Sequence, residues 1–117
     1  MRLIITLVLF WNFIYADALY NRGEYLYFAK ACSSCHGPSA EGSSSAPKLA
    51  NRSSEYLFSK LSGFKNGKFY NQSQEMMFQF VRTLNKKDLE AISKFLSEHK
   101  VKETSDVNED LLGGFGS

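Results

Sequence analysis

Five consecutive residues, Cys32-Ser33-Ser34-Cys35-His36, constrain this chain more than any other stretch of it. They contain both of its cysteines, too few to build the framework of a disulfide-rich domain. A bond between Cys32 and Cys35 would close a very small loop and add little stability. A redox-active thiol pair of the thioredoxin kind would sit in alternating strands and helices, and no such alternation surrounds it. A zinc site would have to count Cys32, Cys35, His36 and His99, yet adjacent residues such as Cys35 and His36 do not readily face one small tetrahedral ion. The remaining reading is C-x-x-C-H, the attachment signature of c-type haem. Two residues between the thiols, at the end of a helix, let each sulfur add across one vinyl group. The next residue then lies beneath the iron, so His36 supplies one axial nitrogen.

The other axial ligand is narrowed by counting. Beyond Met1 the chain has two methionines, Met76 and Met77, and besides His36 one histidine, His99. Adjacent side chains on a helix point in different directions, so at most one methionine binds iron. His99 lies among Lys94, Lys100 and Lys102 near a helix end, the usual setting of an exposed histidine. A methionine is therefore favoured over His99 or an open position.

The first residues bear on the compartment. Residues 1–16 are apolar at 13 of 16 positions, against 38 of 101 in the remainder. Met1-Arg2 is a short positive start, Leu3 to Tyr15 is an apolar run broken by Thr6 and Asn12, and Ala16-Asp17-Ala18 offers small residues in an A-x-A arrangement. These are the three parts of a secretory signal peptide, cleaved after Ala16 or Ala18. The run is shorter than the roughly 20 residues of a membrane span, so no stable membrane insertion is expected once the leader is removed. Export also suits the cofactor, which is attached outside the cytoplasm. Net charge is +2, which argues against nucleic acid as a partner.

Residues 17–102 carry 13 basic and 8 acidic side chains, whereas residues 103–117 carry four acids and no base. The latter read as an acidic, flexible tail. The body reads as helices. The first runs from about Ala18 to Ala31, with Tyr20, Tyr25, Phe28 and Cys32 near helical spacing. Gly37 to Asn51 is rich in Ser, Gly, Ala and Pro, hence loop. Ser53 or Ser54 caps a helix to about Ser62, ended by Gly63 and Asn66-Gly67. A short helix carries Met77 to Leu84. Asn85 caps the last helix, with Asp88 in its first turn and a stripe of Leu89, Ile92, Phe95 and Leu96. The expectation is a small all-α domain over residues 17–102.

Taken together these residues resemble the class I cytochromes c, and within them the small bacterial monohaem c553 type, over about residues 18–100. Cys32 to Gly37 matches the haem box. Pro47-Lys48-Leu49-Ala50 is similar to the family's segment after the haem loop, Tyr56-Leu57 with Leu61, Phe64 and Gly67 to its Y-L-x-x-x-L-x-x-F-x-x-G stretch, and Glu75-Met76-Met77 with Leu84 to Leu89 to its ligand loop and last helix. The resemblance implies four to five short helices around one haem held by two thioethers. It implies that the Pro47 carbonyl accepts a hydrogen bond from His36. It also favours Met77 over Met76, because in these relatives the ligand lies seven residues before the position of Leu84. It pairs Phe28 with Phe95 where the first and last helices cross. Many relatives have glycine four residues before that aromatic; here Glu24 stands there and Gly23 is one step away.

The expected function is a periplasmic, monomeric one-electron carrier rather than an enzyme. Leu49, Leu57, Phe58, Leu61, Phe64 and Leu84 are expected to dry the haem pocket. Its partners would be redox proteins such as a quinol-oxidising complex, a terminal oxidase or a peroxidase. Lys30, Lys48, Lys60, Lys65, Lys68, Lys86 and Lys87 would form a basic rim that steers an acidic partner. Two alternatives stay open. One is a haem-bearing accessory subunit of a respiratory complex; the other is a five-coordinate haem sensor or peroxidase, if Met77 is not a ligand.

Overall fold

The computed structural model describes residues 1–99, and the proposed acidic tail at 103–117 lies outside them. The described residues form five helices and no strand: α1 (Arg2–Ala29), α2 (Ser33–His36), α3 (Ser54–Lys65), α4 (Gln72–Val81) and α5 (Lys86–Glu98). α5 packs against both α1 and α3, and α3 packs against α4.

α1 is one unbroken helix that includes the expected leader. No proline or glycine interrupts the chain before Gly23, so nothing in the backbone ends the helix at Ala16. Residues 1–15 are all solvent-exposed. At 28 residues α1 is long and apolar enough to cross a membrane, and a signal sequence meets the same criterion.

The crossing of α1 and α5 is one residue out of the expected register. Gly23 is buried, and a Cβ built there would lie 1.9 Å from the Ala91 carbonyl oxygen. Four residues on, Tyr27 is fully buried and meets Phe95 at 5.6 Å between ring centres, while Tyr20 meets Phe95 edge-on at 5.3 Å. Phe28, expected in this pair, is 47% exposed. The glycine and aromatic keep their four-residue spacing; the slip lies between the aromatic and Cys32. α1 ends at Ala29 rather than Ala31, and Ala31 takes φ +61°, which inserts one extra residue into the turn.

Hydrogen-bonding side chains set the other helix starts. Ser53, not Ser54, caps α3 by accepting from Tyr56 N at 3.2 Å. α3 runs on through Gly63 to Lys65, and the turn follows at Gly67 with φ +79°. α4 begins five residues before Met77, because Asn71 accepts from Gln74 N at 2.9 Å and caps it. Asn85 and Asp88 form a reciprocal capping box on α5, at 2.9 and 3.1 Å. Asp88 is 7% exposed, and its Oδ1 also accepts from Arg22 Nε and Nη2 at 3.0 and 2.7 Å. One carboxylate thus caps α5 and ties it to α1. The core beneath contains Leu26, Leu57, Val81, Leu84, Leu89, Ile92 and Leu96.

Candidate haem-binding site

The turn between α1 and the loop places both thiols and the histidine within five residues. Cys32 N donates to Tyr27 O at 3.0 Å, and His36 N donates to Cys32 O at 3.0 Å. Gly37, at φ +91°, takes the chain out of α2. The loop that follows is pinned at several points. Gly42 N donates to His36 O at 2.8 Å, Leu49 N and Ala50 N both donate to Ala40 O, and Asn51 N donates to Leu96 O at 2.9 Å. Ser43 Oγ donates to Cys35 O at 3.0 Å. This folding returns Pro47 to the histidine. The Pro47 carbonyl lies 2.8 Å from His36 Nδ1, and a carbonyl only accepts. His36 is therefore the donor at Nδ1, which leaves the lone pair on Nε2.

These groups face a cavity of about 520 Å3, within the ~300–1,000 Å3 usual for cofactor sites. Cys32, Cys35, His36, Pro47 and Met77, the five expected site residues, all line it. Leu49, Leu57, Leu61 and Phe64 supply apolar wall as expected. Phe58 and Leu84 do not reach it; both pack into the helix core instead. Phe80 and Leu96 also line the cavity and were not anticipated. Phe80 follows Met76 by four residues on α4, so helical spacing from the methionines was the signal for it.

The competing donors are separated by place. Met76 and Met77 both line the cavity; Met76 is 55% exposed, whereas Met77 is partly buried against the core. His99 is not in the wall. It ends α5 half-buried, its ring 5.0 Å from that of Phe95, rather than standing free in solvent. The zinc set is not assembled: among the described residues no three of His, Cys, Asp and Glu gather closely enough to hold a metal ion. Before any attachment, burial pushes the Cys32 thiol up to about 11.

An exposed tyrosine marks the rim. Arg52 and Lys60 lie over the Tyr56 ring at 5.5 and 5.8 Å from its centre, and all three line the cavity. Lys30, Lys48, Lys68, Lys86 and Lys87 are exposed. Lys65 departs from the expected rim: it is half-buried and its ammonium donates to the Leu84 carbonyl, joining α3 to the turn between α4 and α5.

The donor set and cavity fit a covalently held haem. Two thiols at the attachment spacing, an imidazole with Nε2 free, a thioether and an apolar wall meet in one space. The sequence matches the cytochrome c family model over residues 20–100. It is 30% identical over 83 residues to cytochrome c4 of Azotobacter vinelandii, covering 68% of this chain and 40% of that protein. It is 33% identical over 93 residues to cytochrome c4 of Stutzerimonas stutzeri, covering 70% and 44%. It is 29% identical over 84 residues to the thiosulfate dehydrogenase electron acceptor of Stutzerimonas stutzeri strain A1501, covering 71% and 39%. The chain thus spans about two fifths of the length of these relatives, and they support the class I family without pointing to the c553 subtype. The five helices, the C-x-x-C-H turn and these matches agree that the chain belongs to the cytochrome c family and carries covalently bound haem c.

Proposed function

We propose that this chain is an exported, periplasmic one-electron carrier in which Cys32 and Cys35 would hold the haem by two thioethers and His36 and Met77 would ligate its iron. When bound, the haem supplies a reversible Fe(III)/Fe(II) couple. The observation that carries the reading is the 2.8 Å hydrogen bond from His36 Nδ1 to Pro47 O, in the wall of an apolar cavity that also holds both cysteines and Met77.

Each residue has a defined task. The Pro47 carbonyl fixes the His36 ring and raises the basicity of its Nε2. Met77, partly buried against the core, brings a thioether whose sulfur favours Fe(II) and raises the potential. The more exposed Met76 lies at the cavity edge. Leu49, Leu57, Leu61 and Phe64 exclude water, which acts in the same direction. With His36 and Met77 both as ligands, the iron would have no position left for a substrate, which supports a carrier rather than an enzyme.

Residues 1–16 act as the signal peptide, removed after Ala16 or Ala18, and residues 17–102 are the working domain, a monomer. Its partners are redox proteins. The relative named an electron acceptor of thiosulfate dehydrogenase supports an oxidising enzyme as donor; a quinol-oxidising complex is the other candidate donor, and a terminal oxidase or peroxidase the acceptor. Carbon monoxide tests the reading. The reduced holoprotein is expected to leave it unbound. Rapid stoichiometric binding would mean an open position and favour the sensor or peroxidase alternative.

A further inference from the structure

Tyr27 joins the α1–α5 crossing to the turn that follows His36. Its ring lies in the α1–α5 crossing, 5.6 Å from Phe95 and 5.3 Å from Phe28, and is fully buried. Its hydroxyl donates to the Gly37 carbonyl at 2.6 Å. Gly37 directly follows His36 and is the point where the chain turns out of α2. The same carbonyl accepts from Ala40 N at 3.1 Å, so both of its lone pairs are used.

Packing accounts for the ring but not for the hydroxyl. A phenylalanine would fill the same space against Phe95. A buried phenol is unfavourable unless it is bonded, so the oxygen needs the Gly37 carbonyl, and that carbonyl gains a second donor. The restraint runs through few atoms. Gly23 seats α1 on Ala91, Tyr27 rises from the next turn of α1, and its oxygen holds the carbonyl of Gly37, the residue after His36. One peptide earlier, the His36 carbonyl is held by Gly42 N.

We propose that Tyr27 is a positioning residue for the axial histidine: its hydrogen bond to Gly37 O holds the Gly37–Pro38 peptide, one peptide beyond His36–Gly37, so that the turn after His36 stays in place and His36 Nδ1 stays on Pro47 O. This rests on His36 being the axial ligand. Loosening the peptide weakens the bond to Pro47, makes the imidazole less basic and so stabilises Fe(III) less.

The test is Tyr27→Phe in the holoprotein, with Asp88→Asn as a control that weakens the α1–α5 contact without touching the turn. Midpoint potential and the hyperfine-shifted ring protons of His36 are measured beside thermal stability. Tyr27→Phe is expected to keep its haem, to raise the potential and to shift the His36 signals, while Asp88→Asn leaves both in place at a comparable loss of stability. A potential that is unchanged or lowered, or one that Asp88→Asn shifts equally, would overturn the positioning role. The wild-type spectrum separates the two levels: absence of ligated-histidine signals there would sink the ligation itself and the inference with it.

Discussion

Replacing Gly23 with alanine tests the crossing that seats the first helix. The new Cβ would lie 1.9 Å from the Ala91 oxygen, 2.5 Å from the Ala91 carbonyl carbon and 2.8 Å from Phe95 Cβ. These are backbone and near-backbone atoms and cannot swing aside. Restoring an ordinary carbon–oxygen contact of about 3.3 Å from 1.9 Å requires the helices to part by roughly 1.4 Å. That movement loosens the contacts of Phe95 with Tyr20 and Tyr27. Overpacking of this kind costs about 1–3 kcal/mol, and a backbone clash belongs at the upper end. Alanine returns about 1 kcal/mol of helix propensity. The net expectation is a loss of about 2 kcal/mol, a fall in Tm of about 8–16 °C for a domain of this size. Thermal unfolding of the holoprotein, followed by far-UV circular dichroism, measures it. Glu24→Ala, on the exposed side of α1, should stay within about 0.5 kcal/mol of the parent. The reasoning is refuted if Gly23→Ala is as stable as the parent, or if Glu24→Ala is the damaging change.

Asp88 governs the acid limb of stability. Burial alone would raise its pKa, but hydrogen bonds from Arg22 and from Asn85 N, with the charges of Arg22 and Lys30, outweigh burial and hold the carboxyl below its ordinary range. A depressed carboxylate contributes stability above its unfolded pKa of about 3.9 and loses it as pH falls through the folded value. Asp88→Asn should therefore lose about 1 kcal/mol near neutrality and unfold less steeply in acid than the parent, as read by Tm against pH; parallel profiles would contradict the assignment. Electron transfer to an acidic partner protein should slow as salt rises, because Lys48, Lys60, Lys68, Lys86 and Lys87 are exposed. A flat response in stopped-flow kinetics would remove the steering role.

The parts of the fold that sequence made legible are those fixed by local chemistry. Asn85 and Asp88 announce a helix start through their own hydrogen bonds, and the structure forms that capping box. The five residues from Cys32 to His36 name their cofactor through spacing alone, and the cavity gathers the remaining expected donors around them. The misreadings have a different origin. Ala31 in a left-handed conformation adds one residue to a turn, and no residue type there signals it, so sequence spacing alone points to Phe28 where Tyr27 stands. α4 starts at Gln72 because Asn71 caps it, but its first turn is polar and leaves no apolar stripe to reveal it. Lys65 reaches a carbonyl 19 residues away, a pairing that depends on tertiary packing. His99 turned from surface to half-buried because α5 carries Phe95 one turn earlier on the same face.

The central claim is axial ligation by His36 and Met77, and the optical spectrum of the oxidised holoprotein tests it most directly. The weak far-red band of methionine sulfur bound to Fe(III) should be present in the parent, persist in Met76→Ala and vanish in Met77→Ala. A parent without the band, or a Met77→Ala variant that keeps it, would contradict the account.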